Sequence, residues 1–196
     1  MQHFLLFLVL LLGLPVAAQP VLGVKGGLNV TDVNGSYGYF TPRVGFHAGV
    51  FAASNPAKRL SLQAEVLYSQ KGFRTYLPIE TTPGSSYSAR FRFYAAHLDI
   101  PLVLKCRVLN RFAPYVGPQA SVLIRQSVGV KGSQVDNVTF SGGSRLQVGA
   151  VAGLGFRITN RLGADVRYSR DLLGGGFRNH ALQAGMSFAL LAKNDK

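Results

Sequence analysis

Hydrophobic and polar residues alternate strictly in the stretch His97-Leu-Asp-Ile-Pro-Leu-Val-Leu-Lys105. Leu98, Ile100, Leu102 and Leu104 share one face, and His97, Asp99, Pro101, Val103 and Lys105 share the other. A period of two is that of a β-strand with one apolar and one mostly polar side. The same alternation predicts strands over residues 21–30, 43–53, 60–71, 97–106, 112–125, 145–158, 162–169 and 182–190. Phe51 is an apolar misfit on the polar side of the second strand. Pro114 and Pro118 each remove a ladder donor from the fifth. Residues 89–93 also alternate, in the opposite apolar phase, which predicts a bulge or loop end near residues 94–96. Pro101, in the middle of a strand that should be paired on both sides, implies a second local bulge.

The connections are alternately long and short. Residues 31–42, 72–95, 126–144 and 172–179 are long, polar and glycine-containing; residues 54–59, 108–111 and 159–161 are tight turns. Long loops on one side and short turns on the other characterise outer-membrane barrels, whose strands cross the bilayer in ~9–11 residues. The expected fold is therefore all-β: an eight-stranded antiparallel up-and-down transmembrane barrel of small size. Its apolar face, with Leu98, Ile100, Leu102 and Leu104, should look toward lipid. Its other face should line the lumen with Lys25, His47, Glu65, His97, Asp99, Lys105, Arg157, Asp165 and Arg167. Isolated buried charges are costly, so these acids should pair with lysine and arginine inside. Eight strands leave room only for side chains, which argues against open solute conduction. Tyr68 and Tyr168 fall at the outer ends of their strands and Phe156 and Phe188 at the opposite ends, as an aromatic girdle would.

The amino terminus changes the picture. Residues 4–14 form a charge-free apolar run, followed by Val16-Ala17-Ala18. This reads as a secretory signal peptide cut after Ala18, although no Lys or Arg precedes the run. The division is then a leader, 1–18, and a barrel domain, 19–196. Beyond residue 18 no segment reaches the ~18–20 consecutive apolar residues of a spanning helix. The formal net charge is +13, with only 8 acidic residues, which favours anionic surfaces such as lipopolysaccharide. The basic residues are scattered singly, and an exported protein has little access to nucleic acid. Cys106 is the single cysteine, so no intrachain disulfide forms, and its thiol should be buried or lipid-facing.

Four pieces of the chain carry a family likeness. Val24-Lys-Gly-Gly-Leu-Asn29, Leu98-Asp-Ile-Pro-Leu-Val-Leu-Lys105, Pro114-Tyr-Val-Gly117 and Val166-Arg-Tyr-Ser169 span nearly the whole domain. With them the chain resembles the PorT-like outer-membrane β-barrel proteins of Bacteroidota-type bacteria. The resemblance implies an integral outer-membrane barrel. It also brings an association, through the founding member, with secretion across the outer membrane. The polar tail 192–196 departs from barrels that end on an aromatic residue.

Catalytic signals are sparse. His47, His97 and His180, with Glu65, Asp99 and Asp165, supply the raw material of a triad, but no Gly-x-Ser-x-Gly elbow is present. The histidines form no spaced metal cluster, and the glycines alternate along strands rather than forming a phosphate loop. No enzyme activity, cofactor or metal is expected. Function should reside in the loops 72–95 and 126–144 of a monomer in the outer membrane. There Arg74, Tyr76, Tyr87, Arg90, Arg92 and Lys131 are the candidate contacts to lipopolysaccharide or to a surface or secretion partner protein. The alternatives are a lipid-modifying hydrolase of the outer membrane and a soluble periplasmic lipid-binding barrel.

Overall fold

The computed structural model describes residues 20–33, 40–54, 59–82, 85–131, 145–174 and 179–191. The expected leader, the tail, and residues 132–144 of the expected long loop lie outside them. Eight strands follow in order: β1 (Val21–Val33), β2 (Phe40–Ala53), β3 (Leu60–Thr82), β4 (Ser85–Cys106), β5 (Phe112–Lys131), β6 (Leu146–Arg157), β7 (Leu162–Leu173) and β8 (Asn179–Leu191). Each pairs antiparallel with the next, and β8 returns to β1 to close the barrel.

Side chains sort by alternation, in the inverse of a water-soluble barrel. The outer surface exposes Leu28, Val44 and Val116 by about 60% each, among many other apolar residues. The interior buries Lys25, Glu65, Lys71, Asp99 and Arg167. Exposed apolar surface on this scale needs an apolar solvent, and a closed barrel leaves no backbone edge unsatisfied in it. The interior is not purely polar. Leu67, Val103 and Val151 are fully buried in it, and the misfit Phe51 also points inward.

Register explains many of the lumen glycines. Phe51 stands opposite Gly23, His47 opposite Gly27, and Tyr115 opposite Gly153. A Cβ on Gly23 would lie 2.4 Å from the Phe51 ring, and one on Gly153 would lie 2.6 Å from Tyr115 Cζ. A narrow barrel thus accommodates each bulky inward residue by leaving its cross-strand neighbour without a side chain.

Two expectations are corrected and one, the bulge near residue 96, is borne out and sharpened. First, residues 72–95 are not a loop. β3 runs to Thr82 and β4 starts at Ser85, so the region is a long projecting hairpin. β5 likewise continues through 126–131 alongside it. Above the apolar belt the polarity inverts: Phe73 and Phe93 stack inside, 4.4 Å apart, while Arg74 and Tyr76 are exposed. The opposite apolar phase of residues 89–93 marks that inversion. Second, the bulge near residue 96 exists, but only against β5. Ala96 faces Arg125 and His97 faces Leu123, leaving Ile124 as the extra residue; against β3 the register passes through unbroken. Third, Pro101 makes no bulge. Asp99 faces Leu67 and Leu102 faces Ala64, so both strands advance equally past it.

One seam in the wall is closed by side chains. Between Pro42 and His47 the register of β2 shifts against β3. The Asn29 amide donates to the carbonyls of Phe46 (3.1 Å) and Gln70 (3.3 Å). Thr31 Oγ1 donates to the Gly72 carbonyl at 2.8 Å and accepts from the Gly72 N–H at 3.1 Å. Arg43 Nη1 donates to the Lys71 carbonyl at 3.0 Å. Gly72 has φ +151°, a backbone conformation that a side chain would strain.

Candidate functional site

Two places concentrate polar chemistry: the lumen and the outer face of the projecting sheet. In the lumen Lys25 Nζ donates to Asp165 Oδ2 (2.9 Å) and Glu65 Oε1 (3.3 Å). Arg167 Nη1 donates to Glu65 Oε2 at 2.7 Å, and its Nε donates to Gln183 Oε1. Gln63 Nε2 and the Tyr115 hydroxyl complete the set, each donating at 2.6 Å, to Glu65 and Asp165 respectively. Two cations and two anions, all nearly inaccessible, neutralise one another across β1, β3 and β7. Lys105 lies over the Tyr115 ring, 5.2 Å from its centroid.

A second group sits nearer the outer end. Lys71 Nζ donates to Asp99 Oδ1 at 2.9 Å and lies 3.4 Å from Ser121 Oγ. A serine beside a lysine is the raw material of a hydrolytic dyad, but here Lys71 Nζ is engaged by the Asp99 carboxylate. His47 Nδ1 is 2.6 Å from Asn29 Oδ1. Both Asn29 amide bonds go to carbonyls, so its oxygen faces the ring and His47 carries its proton on Nδ1. His97 is buried opposite Ser69. Among the described residues no group of three His, Cys, Asp or Glu is placed to hold a metal ion. The lumen ion pairs tie strands that are distant in the chain together.

Of the residues read as lumen-facing, Lys25, Glu65, Asp165 and Arg167 meet in one network, while Asp99 joins Lys71 in the other. Arg157 is a correction: it is exposed at the barrel end and donates to the Asn110 carbonyl at 2.7 Å. Its strand parity is inward, but its position is past the last lumen layer. Leu98, Ile100 and Leu102 lie half-exposed on the outer surface, and Leu104 is exposed. The candidate loop contacts are corrected in kind, since they lie on paired strands. Arg74 and Tyr76 are exposed on β3, and Arg92 stands directly opposite Arg74 on β4. Tyr87, Arg90 and Lys131 fall within β4 and β5, and their side chains lie outside the described part.

Asn29, Tyr115, Gln183 and Arg43 were not singled out as site residues. Asn29 and Tyr115 stood inside the quoted strand motifs, which was the one available signal. Gln183 and Arg43 carry the polar parity of their strands, but their partners become visible only in the folded barrel.

No curated protein matches the chain in sequence. Among solved structures, Neisserial surface protein A is similar with TM-score 0.53 and 17% identity, covering 88% of this chain and 99% of that one. Ail, the attachment invasion locus protein of Yersinia pestis, is similar with TM-score 0.51 and 12% identity, covering 87% and 98%. At such identities the likeness concerns the fold, and both are small outer-membrane barrels. Residues 17–172 match the family described as outer membrane protein beta-barrel domain. The chain belongs to that family of outer-membrane β-barrels.

Proposed function

We propose that the protein is a non-catalytic surface barrel, monomeric in the outer membrane, that engages a partner protein through the sheet formed by β3, β4 and β5 on its outer side. The observation that carries this reading is strand length. β3 has 23 residues and β4 has 22, against 12 in β6 and in β7. The excess, roughly ten residues, projects the hairpin ~30 Å along the strand direction at ~3.3 Å per residue. Strand pairing holds it upright, and an apolar inner side with Phe73, Phe93 and Val128 stiffens it. A rigid scaffold presenting an exposed edge and basic side chains suits recognition. The mutual neutralisation of the lumen charges favours a structural interior over a catalytic one. The Leu98–Lys105 strand supports placement near the PorT-like members, and a secretion-accessory role rests on that likeness alone.

The test replaces residues 77–90 by a short turn in the full chain and places a photo-crosslinker at Tyr76 in the otherwise intact protein. The shortened variant should still reach the outer membrane and migrate heat-modifiably. It should lose the protein partner that the Tyr76 crosslinker captures in the parent. A parent that captures no protein, or a shortened variant that cannot form a barrel, would refute the proposal. So would release of fatty acid from membrane lipid by the purified parent protein.

A further inference from the structure

The outer wall of β3, β4 and β5 can be read row by row from the register. Tyr68, Leu98 and Val122 form one outward row, apolar and at the top of the lipid-facing belt. The next row is Gln70, Ala96 and Arg125; then Gly72, Tyr94 and Ser127; then Arg74, Arg92 and Gly129. Successive rows are ~7 Å apart along the strand, and less in height because the strands tilt. Headgroups occupy ~5–8 Å beyond each side of the hydrocarbon core. The first row above the belt, Gln70, Ala96 and Arg125, therefore stands at headgroup depth.

This stretch of wall is cationic, and among the described residues no acidic side chain pairs with its outward arginines. Arg74 directly opposes Arg92, an unfavourable like-charge pair. Residues 70–76, 90–96 and 125–131 contain no Asp or Glu. Among the described residues Arg92 Nε, shielded from solvent, has no hydrogen-bond partner. Below Arg74 and Arg92 a hollow of about 360 Å³ opens, with Arg43, Tyr68, Gln70, Tyr94, Ala96 and Arg125 among its lining residues. Arg43 is fixed there from two sides. Its guanidinium lies 4.2 Å from the Tyr94 ring centroid, and Nη1 bonds the Lys71 carbonyl. Arg125, exposed, reaches the hollow from β5. Two guanidinium groups, one of them preorganised, around a small-residue floor with tyrosine and glutamine donors suit a tetrahedral oxyanion.

We propose that this hollow binds a headgroup phosphate of the outer-leaflet glycolipid, held between Arg43 and Arg125, while Arg74 and Arg92, two rows farther out, raise the positive potential that draws the anionic lipid in. Depth decides the source, because a lipid presents its phosphate at this height with its chains against Tyr68, Leu98 and Val122. The site is independent of whatever the tip of the hairpin engages.

The test uses the full-length folded protein in detergent, with lipid retention read by native mass spectrometry. The probes are a phosphorylated glucosamine-based glycolipid (lipid A), the same lipid dephosphorylated, and inorganic phosphate. The phosphorylated lipid should be retained in preference to the dephosphorylated one. Arg125→Ala, which touches no seam hydrogen bond, should weaken that retention about tenfold, the loss of one charge-assisted contact. Arg43→Ala should weaken it further, with Arg43→Lys restoring part, and heat-modifiable migration reports whether each variant is folded. Equal retention of the two lipids, or unchanged retention by folded Arg125→Ala, would overturn the site. Inorganic phosphate competing at the same concentration as the lipid would overturn the lipid as its source.

Discussion

The Arg167 guanidinium on β7 and the Glu65 carboxylate on β3 meet inside the barrel at 2.7 Å, although 102 positions separate them in the chain. Lys25 shares the same carboxylate. Glu65→Gln should therefore leave two buried cations short of an anion, at a cost of about 3–5 kcal/mol. Urea unfolding in lipid vesicles measures it. Replacing both partners, as in Glu65→Leu with Arg167→Met, should cost less than Glu65→Leu alone.

The lumen should be selective about which glycines can change. A Cβ on Gly153 would meet Tyr115 at 2.6 Å and Arg167 Cβ at 2.7 Å, whereas one on Gly155 would meet only the Ala113 carbonyl, at 3.4 Å. Gly153→Ala should cost about 1–3 kcal/mol, while Gly155→Ala should stay within ~0.5 kcal/mol. Equal effects of the two would contradict the register of β5 and β6.

Depth in the bilayer should be readable on β4. Leu102 lies mid-belt and Leu98 lies beside Tyr68 at its upper edge. Leu102→Arg should destabilise the barrel by about 2–4 kcal/mol and Leu98→Arg by about 0–1 kcal/mol. A soluble barrel would tolerate both alike.

Topology can be read with a thiol reagent. Cys106 ends β4 beside the short turn, and Tyr76 is exposed on the projecting hairpin. On intact cells a membrane-impermeant maleimide should leave the parent protein unlabelled. It should label Tyr76→Cys in a Cys106→Ala background. The opposite pattern would invert the barrel in the membrane.

Asn29 should matter more than its small size implies. Its amide closes the β2–β3 seam and its oxygen accepts from His47. Asn29→Ala should cost about 1–3 kcal/mol and raise hydrogen exchange locally, around Gln70 and His47. Uniform exchange across the barrel would argue against a local seam.

Period-two alternation is a local property, so the eight strands, their two faces and the presence of a bulge near residue 96 were legible in the sequence. The alternation of long and short connections added antiparallel order and closure. Other features were not legible, for definable reasons. Residues 72–95 read as a loop because alternation records only a difference in polarity between faces. It cannot tell lipid from water outside, and at this point the outer solvent changes and the apolar side moves inward. Pro101 looked like a bulge because a missing donor is visible in sequence, whereas the unbroken register on both sides of it is not. The lumen network required closure of the barrel: Lys25 and Asp165 are 140 positions apart, and only the curvature of eight paired strands brings them to 2.9 Å. The same holds for Arg43 and Arg125, which local alternation cannot relate and which four adjoining strands place around one hollow.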